Sequence, residues 1–330
     1  MSKPPIDPVV WQPPRATPRA SQDASARAVE PRLIPLPGTG PEDVAIDAGG
    51  SAFTGLSDGR ILRVSRHGAI VEVANTGGRP LGIEVSPDGD LIVCDTRRGV
   101  LRVDPGSGAV EVLVDLVDGA RMLFCNNSTV GGDGTIYFTD SSTHFSQPDY
   151  LGELLAHTGT GRLFRRQSDG AIDLLAGGLD FANGVTLSPD GQSVVVAETG
   201  GYRLLRLWIS GPRSGQRETF VENLPGFPDN ISTGDTGLIW VALPNARSRL
   251  LDGLLPRSPL LRRAIWALPE HLRPKDKPTV WAQAYDDSGR LVHDLQTVHP
   301  SFRFVTGVRE SAGTLWLGSL HSQAIGYVKL

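Results

Sequence analysis

The chain has 330 residues, 39% of them apolar, enough for a real core in one large domain or two ordinary ones. A formal net charge of -4 supplies no basic field for phosphate backbones or anionic lipid, so nucleic acid and membrane are excluded as expected partners and a small molecule is favoured. With only Cys94 and Cys125, a disulfide scaffold is excluded too, and both read as buried thiols.

In chain order, residues 1–30 come first. They are rich in Pro, Ala, Ser and Arg without an apolar period, which predicts an extended or disordered arm outside the core. They carry no charged-then-apolar leader, and nowhere do eighteen apolar residues run together, so the expected location is the cytoplasm. Across residues 31–330 one phrase recurs: a short apolar strand, an Asp-Gly or Gly-rich turn, a second strand, then a polar hairpin. It is legible in AIDAGGSAFTG, IEVSPDGDLIVCD, STVGGDGTIYFTD, TLSPDGQSVVVAE, STGDTGLIWVA and VRESAGTLWLGS. Such turns need positive φ where two strands reverse, which Gly supplies. Six copies at a period of roughly 40 residues predict an all-β fold, a six-bladed β-propeller with four-stranded blades.

The copies begin near residues 41, 79, 121, 180, 225 and 302, and the last is too short for four strands. The strand-like RLIPLPG at 32–38 is therefore the predicted closing strand of the last blade, which removes two open sheet edges. Blade three is enlarged by THFSQPDYLGELLAHTGTG. Blade five is interrupted by ARSRLLDGLLPRSPLLRRAIWALPEHLRP. Its Leu and Arg at helical spacing predict a short helical insert, either packed on the blade edge or serving as a lid over the channel mouth.

Aligned on their first inner strand, the copies set P-E-D-V-A, P-L-G-I-E, C-N-N-S-T, A-N-G-V-T, P-D-N-I-S and V-T-G-V-R in register. One column holds Glu42, Leu81, Asn126, Asn183, Asp229 and Thr306. Equivalent positions of successive blades converge at one end of a propeller axis, so four oxygen donors are expected to meet. Two carboxylates and two amide oxygens suit Ca²⁺ and are poor for zinc or copper. Asn-Gly and Asp-Asn are also plain turn dipeptides, but turn chemistry does not explain a column that repeats.

Over residues 32–330 the sequence resembles the six-bladed superfamily of strictosidine synthase, senescence marker protein/gluconolactonase and paraoxonase. The resemblance rests on GTIYFTDSS at 134–142, FANGVTLSPDG at 181–191, GFPDNIS at 226–232 and GTLWLGSL at 313–320. It implies one channel Ca²⁺, held by a Glu, two Asn and an Asp that match Glu42, Asn126, Asn183 and Asp229. A second, deeper calcium would call for an Asp where this chain has Asn127. The condensing chemistry of the strictosidine synthases uses a channel Glu, whereas the sixth-blade position here is Thr306.

Calcium lowers the pKa of a bound water less than zinc does, so a protein base is expected. Asp229 is one candidate, as base, nucleophile or ligand alone. His144 and His321, after the second inner strands of blades three and six, are the others, since a neutral imidazole suits the task. Asp95 and Asp140 read as structural fasteners between blades. Trp266 and Phe227 are candidate apolar walls of a pocket. The expected function is calcium-dependent hydrolysis of a lactone or ester. The alternatives are a phosphotriesterase-type or strictosidine-synthase-like condensing enzyme on the same scaffold, or a non-catalytic ligand-binding propeller.

Overall fold

A computed structural model describes residues 3–16, 27–269, 271 and 279–330. Its organising element is the inner strand of each blade: Ala45–Ile46, Pro80–Val85, Cys125–Val130, Ala182–Leu187, Ile231–Thr233 and Val305–Ser311. Each opens an antiparallel sheet of four successive strands, except the last, whose fourth strand comes from the other end of the chain. In every blade the first two strands reverse at a glycine, Gly50, Gly89, Gly134, Gly191, Gly237 or Gly313, with φ between 68° and 92°. A side chain at that φ clashes with its own backbone, which is why the Gly of the repeated phrase is obligatory.

Arg32–Pro35 pairs antiparallel with Ala324–Lys329 and closes blade six, as the short last copy requires. The fold is thus the six-bladed propeller predicted from the repeat. Its apolar residues sort by interface. One cluster each lies between blades one and two, two and three, three and four, four and five, five and six, and six and one. Cys94 and Cys125, both free and buried, belong to the interface of blades two and three. Asp95 accepts from Thr76 Oγ1 of the preceding blade at 2.7 Å, as expected of a fastener between blades, whereas Asp140 holds Phe124 N and Arg162 of its own blade three and fastens that blade internally.

The seventh cluster lies over the channel mouth. It joins the helix of the blade-three insert, α1 (Tyr150–Ala156), to the two helices of the blade-five insert, α2 (Arg249–Leu254) and α3 (Pro259–Ala267). Ser248 caps α2 by accepting from Leu251 N, and Pro259 starts α3 where no N–H is needed. Both inserts therefore roof the mouth, so the blade-five insert is a cover and not an edge ornament. Residues 268–269 and 271 follow α3; the remainder of that insert up to 278 lies outside the described residues.

Where described, at residues 3–16 and 27–30, the arm is extended but does not stand outside the core; its residues 1–2 and 17–26 lie outside the described residues. Residues 3–16 run across the roof, with Ile6 buried against Phe145, Leu154 and Trp266. Val9 N donates to Ala156 O at 2.8 Å and Trp11 N to Leu255 O at 3.1 Å, tying the arm to both inserts. The fully buried Arg262 donates to Leu155 O at 2.8 Å and Val9 O at 2.7 Å. Further on, Arg27–Ala28 adds a short parallel strand to the outer edge of blade five. A Pro-rich segment cannot make an apolar period, so its order comes wholly from partners distant in sequence. No helix among the described residues is long and apolar enough to cross a membrane.

Candidate active site

All six inner strands enter the channel by the same route, so equivalent residues form layers down the axis. The column of Glu42, Leu81, Asn126, Asn183, Asp229 and Thr306 lines one pocket under the roof. The structure brings the four oxygen donors together, and Thr306 joins them by donating its hydroxyl to Glu42 O at 2.7 Å.

The amides are held with their oxygens toward the pocket. Ser141 Oγ donates to Ala182 O at 2.7 Å, so it can only accept from Asn126 Nδ2 at 2.8 Å. Thr199 Oγ1 donates to Pro228 O at 2.6 Å and accepts from Asn183 Nδ2 at 3.1 Å in the same way. Asn126 Oδ1 and Asn183 Oδ1 are left buried without a partner among the described residues. Glu42 Oε1 accepts from Asn230 Nδ2 at 3.0 Å, while Glu42 Oε2 is buried and has no hydrogen-bond partner among the described residues. Native proteins rarely leave buried acceptors unpaired, and three around one pocket point to a cationic or donor ligand. Among the described residues no three His, Cys, Asp or Glu side chains converge as a metal site. The donor set is instead two carboxylates and two amides, hard oxygens that fit a divalent cation such as Ca²⁺.

Electrostatics agree. Burial, then the nearby Asp229 and Asp43 charges, push the Glu42 carboxyl well above its ordinary value. Burial likewise raises Asp229 to about 8. Positive charge in the mouth would favour both carboxylates.

The next layer down was not foreseen from the sequence. It reads Asp43, Gly82, Asn127, Gly184, Asn230 and Gly307, polar residues alternating with glycine around the ring. Asn127 Nδ2 donates to Asp43 Oδ2 at 3.0 Å and Asn127 Oδ1 accepts from Val185 N at 3.2 Å, so Asn127 ties three blades together. The glycines are where backbones meet: a Cβ on Gly184 would lie 2.3 Å from Ile231 N and 2.5 Å from Asn230 Cα. The signal was present one column further along the same alignment.

The layer above is apolar. Two residues before the column stand Phe124, Phe181, Phe227 and Phe304 in four of the six blades, and all four line the pocket. Phe181 and Phe304 adopt left-handed backbone, φ 64° and 57°, strained for bulky side chains and found mostly at functional sites. Phe227 is thus a pocket wall as expected. Trp266 is not: it is buried beneath the arm, its Nε1 donating to Pro4 O at 2.8 Å. Neither histidine lines the pocket. His144 is exposed beside Thr143, in a separate groove with Asp7 and Arg263. His321 stacks on the outer side of the wall, its ring 4.4 Å from that of Phe304. Asn245, also unnoticed in the sequence, contributes a buried unpartnered Oδ1 to the pocket wall.

Six four-stranded blades around an axial, oxygen-floored pocket define a β-propeller whose candidate site lies at the channel mouth. The chain belongs to the family described as SMP-30/gluconolactonase/LRE-like region, whose profile matches residues 36–250. It is 36% identical over 313 residues to the adipocyte plasma membrane-associated protein of Gallus gallus, covering 87% of this chain and 74% of that protein. It is 34% identical over 332 residues to the protein strictosidine synthase-like 10 of Arabidopsis thaliana, covering 91% and 88%. A gluconolactonase from Xanthomonas campestris superposes with a TM-score of 0.67 at 20% identity, covering 100% of this chain and 99% of that one. A calcium-binding regucalcin from Agrobacterium tumefaciens superposes with a TM-score of 0.64 at 15% identity, covering 92% and 95%. At these identities the superpositions speak for the fold.

Proposed function

We propose that the protein is a hydrolase that opens a lactone or ester at the channel mouth, with one Ca²⁺ held by Glu42, Asn126, Asn183 and Asp229. The observation that carries this reading is the trio of buried, unpartnered oxygens, Glu42 Oε2, Asn126 Oδ1 and Asn183 Oδ1, in one pocket with Asp229. The names of the gluconolactonase and regucalcin neighbours support it. A calcium there supplies positive charge for the carbonyl oxygen and the oxyanion that follows.

The chain's own residues do the rest. Ser141 and Thr199 fix the two amides, so the floor is ordered before substrate arrives. The Phe collar and the roof exclude bulk water from the reacting carbonyl. Asp229, the floor carboxylate held by hydrogen bonds from the Asn183 side chain and the Asn230 backbone, takes the proton of the attacking water. As the water oxygen bonds to the carbonyl carbon, the ring or ester C–O bond breaks, and that proton passes to the departing alkoxide. The product is a hydroxy acid or an acid and an alcohol. Removal of metal with EDTA should abolish lactone hydrolysis, and added Ca²⁺ should restore it. Activity indifferent to chelation would overturn the metal reading in favour of metal-free chemistry on the same column.

A further inference from the structure

We propose that the site takes lactones or esters bearing an apolar group and rejects polyhydroxylated sugar lactones. For the reaction this rests on the hydrolase reading; for binding it stands alone. The pocket is about 140 Å³, close to the roughly 150 Å³ of an engineered apolar cavity that admits benzene. Above the oxygen floor its walls are hydrocarbon. The collar gives Phe124, Phe181, Phe227 and Phe304, and the roof gives Leu154 from α1, Leu254 from α2 and Ile265 from α3.

Polar groups in the walls are fewer than apolar ones: Gln147, Tyr150, Asn245, Ser248 and Thr199, of which Ser248 caps α2 and Thr199 is committed to Pro228 and Asn183. A sugar lactone has several ring hydroxyls. Each one left unpaired against Phe or Leu would weaken binding by about five- to a hundredfold. An alkyl or aryl substituent instead gains from every methylene buried, about fourfold each. The floor sets where the carbonyl sits, and the roof decides what hangs from it.

The roof's leucines come from the two inserts and not from the blades, so this selectivity sits in the part of the chain that the repeat does not specify. Leu154 and Leu254 are walls and not part of the oxygen floor.

The test uses the full chain with unreactive analogues, alkyl-substituted δ-lactams of rising length and gluconolactam, titrated calorimetrically. Affinity should tighten about two- to fourfold per methylene until the pocket is filled, with gluconolactam bound at least a hundredfold more weakly than the longest alkyl lactam. Hydrolysis of the matching lactones should follow the same order in kcat/KM. Leu154→Ser and Leu254→Ser should flatten the chain-length slope while their melting temperatures show the ring intact. Gluconolactam bound as tightly as its alkyl counterparts, or glucono-lactone hydrolysed in preference to alkyl lactones, would overturn the proposal and leave the hydrolase reading standing. If alkyl lactams bind in the expected order but no lactone or ester is opened, the apolar assignment holds and the hydrolase reading falls.

Discussion

Asp229 and Glu42 share one mouth, and the consequences of that are measurable residue by residue. Asp229→Asn keeps size and one oxygen while removing a charge, so Ca²⁺ should bind more weakly, since affinity follows ligand charge count. Glu42→Gln is the matched control. At saturating Ca²⁺ the control should recover most turnover, while Asp229→Asn should stay low by about 10²-fold or more if Asp229 is the base. Unchanged calcorimetric Ca²⁺ affinity in both variants would remove the metal site. The pH dependence follows from the same pair. Both carboxyls have folded pKa values above their unfolded ones, Asp229 at about 8, with burial the largest cause. Between about pH 4, the unfolded carboxylate value, and pH 8 the folded state therefore holds more protons than the unfolded one. Stability of the chelated protein is fully present at the acid end of that window and is lost as pH rises through it. Ca²⁺ should cancel the loss, so the rise in melting temperature on adding Ca²⁺ should be larger at pH 8 than at pH 5. A calcium shift independent of pH would contradict this.

Among elements, the inner strands and the roof make opposite demands. Inner strands need the alternation of polar residue and glycine below the column. Gly184→Ala would drive a Cβ into the Asn230–Ile231 backbone of the next blade, costing about 1–3 kcal/mol, readable by denaturant titration. A neutral result would mean that the layers can slide apart. The roof depends on the arm. Hydrogen bonds from a charged group are worth about 1.5–3 kcal/mol each, and Arg262 makes two short ones, to Leu155 O and Val9 O. Arg262→Met should therefore accelerate amide hydrogen exchange in α1, α2 and α3 by about tenfold or more, with the blade strands unchanged. Equal loss of protection in roof and blades would show that the inserts are not a separate unit.

For the whole molecule, closure is the deciding event. Removing residues 1–16 takes away the strap over the roof but leaves the ring's joint, so a cooperative melt should survive while the roof loosens. Removing residues 1–40 also removes Arg32–Pro35, opens the pairing with Ala324–Lys329 and exposes two sheet edges. That chain should fail to give a cooperative melt or should aggregate. A cooperative transition near that of the full chain would show that five complete blades and an open sixth suffice.

How much of this was legible depends on whether the information is repeated. Turn glycines and strand alternation recur in every blade, and the column carries the four oxygen donors in four of the six, so the sequence by itself determined six blades, the closing strand and the gathering of Glu42, Asn126, Asn183 and Asp229 at one end of the axis. Symmetry converts a column in an alignment into a point in space. Arm, roof and histidines occur once each. The tertiary structure alone decided that residues 3–16 strap the inserts, that the inserts cover the mouth, and that His144 and His321 lie outside the pocket. The physical reason is that a blade specifies itself through local turn and strand chemistry. An insert or a Pro-rich arm takes its conformation from contacts with residues more than a hundred positions away, as Val9 does with Arg262 and Ala156.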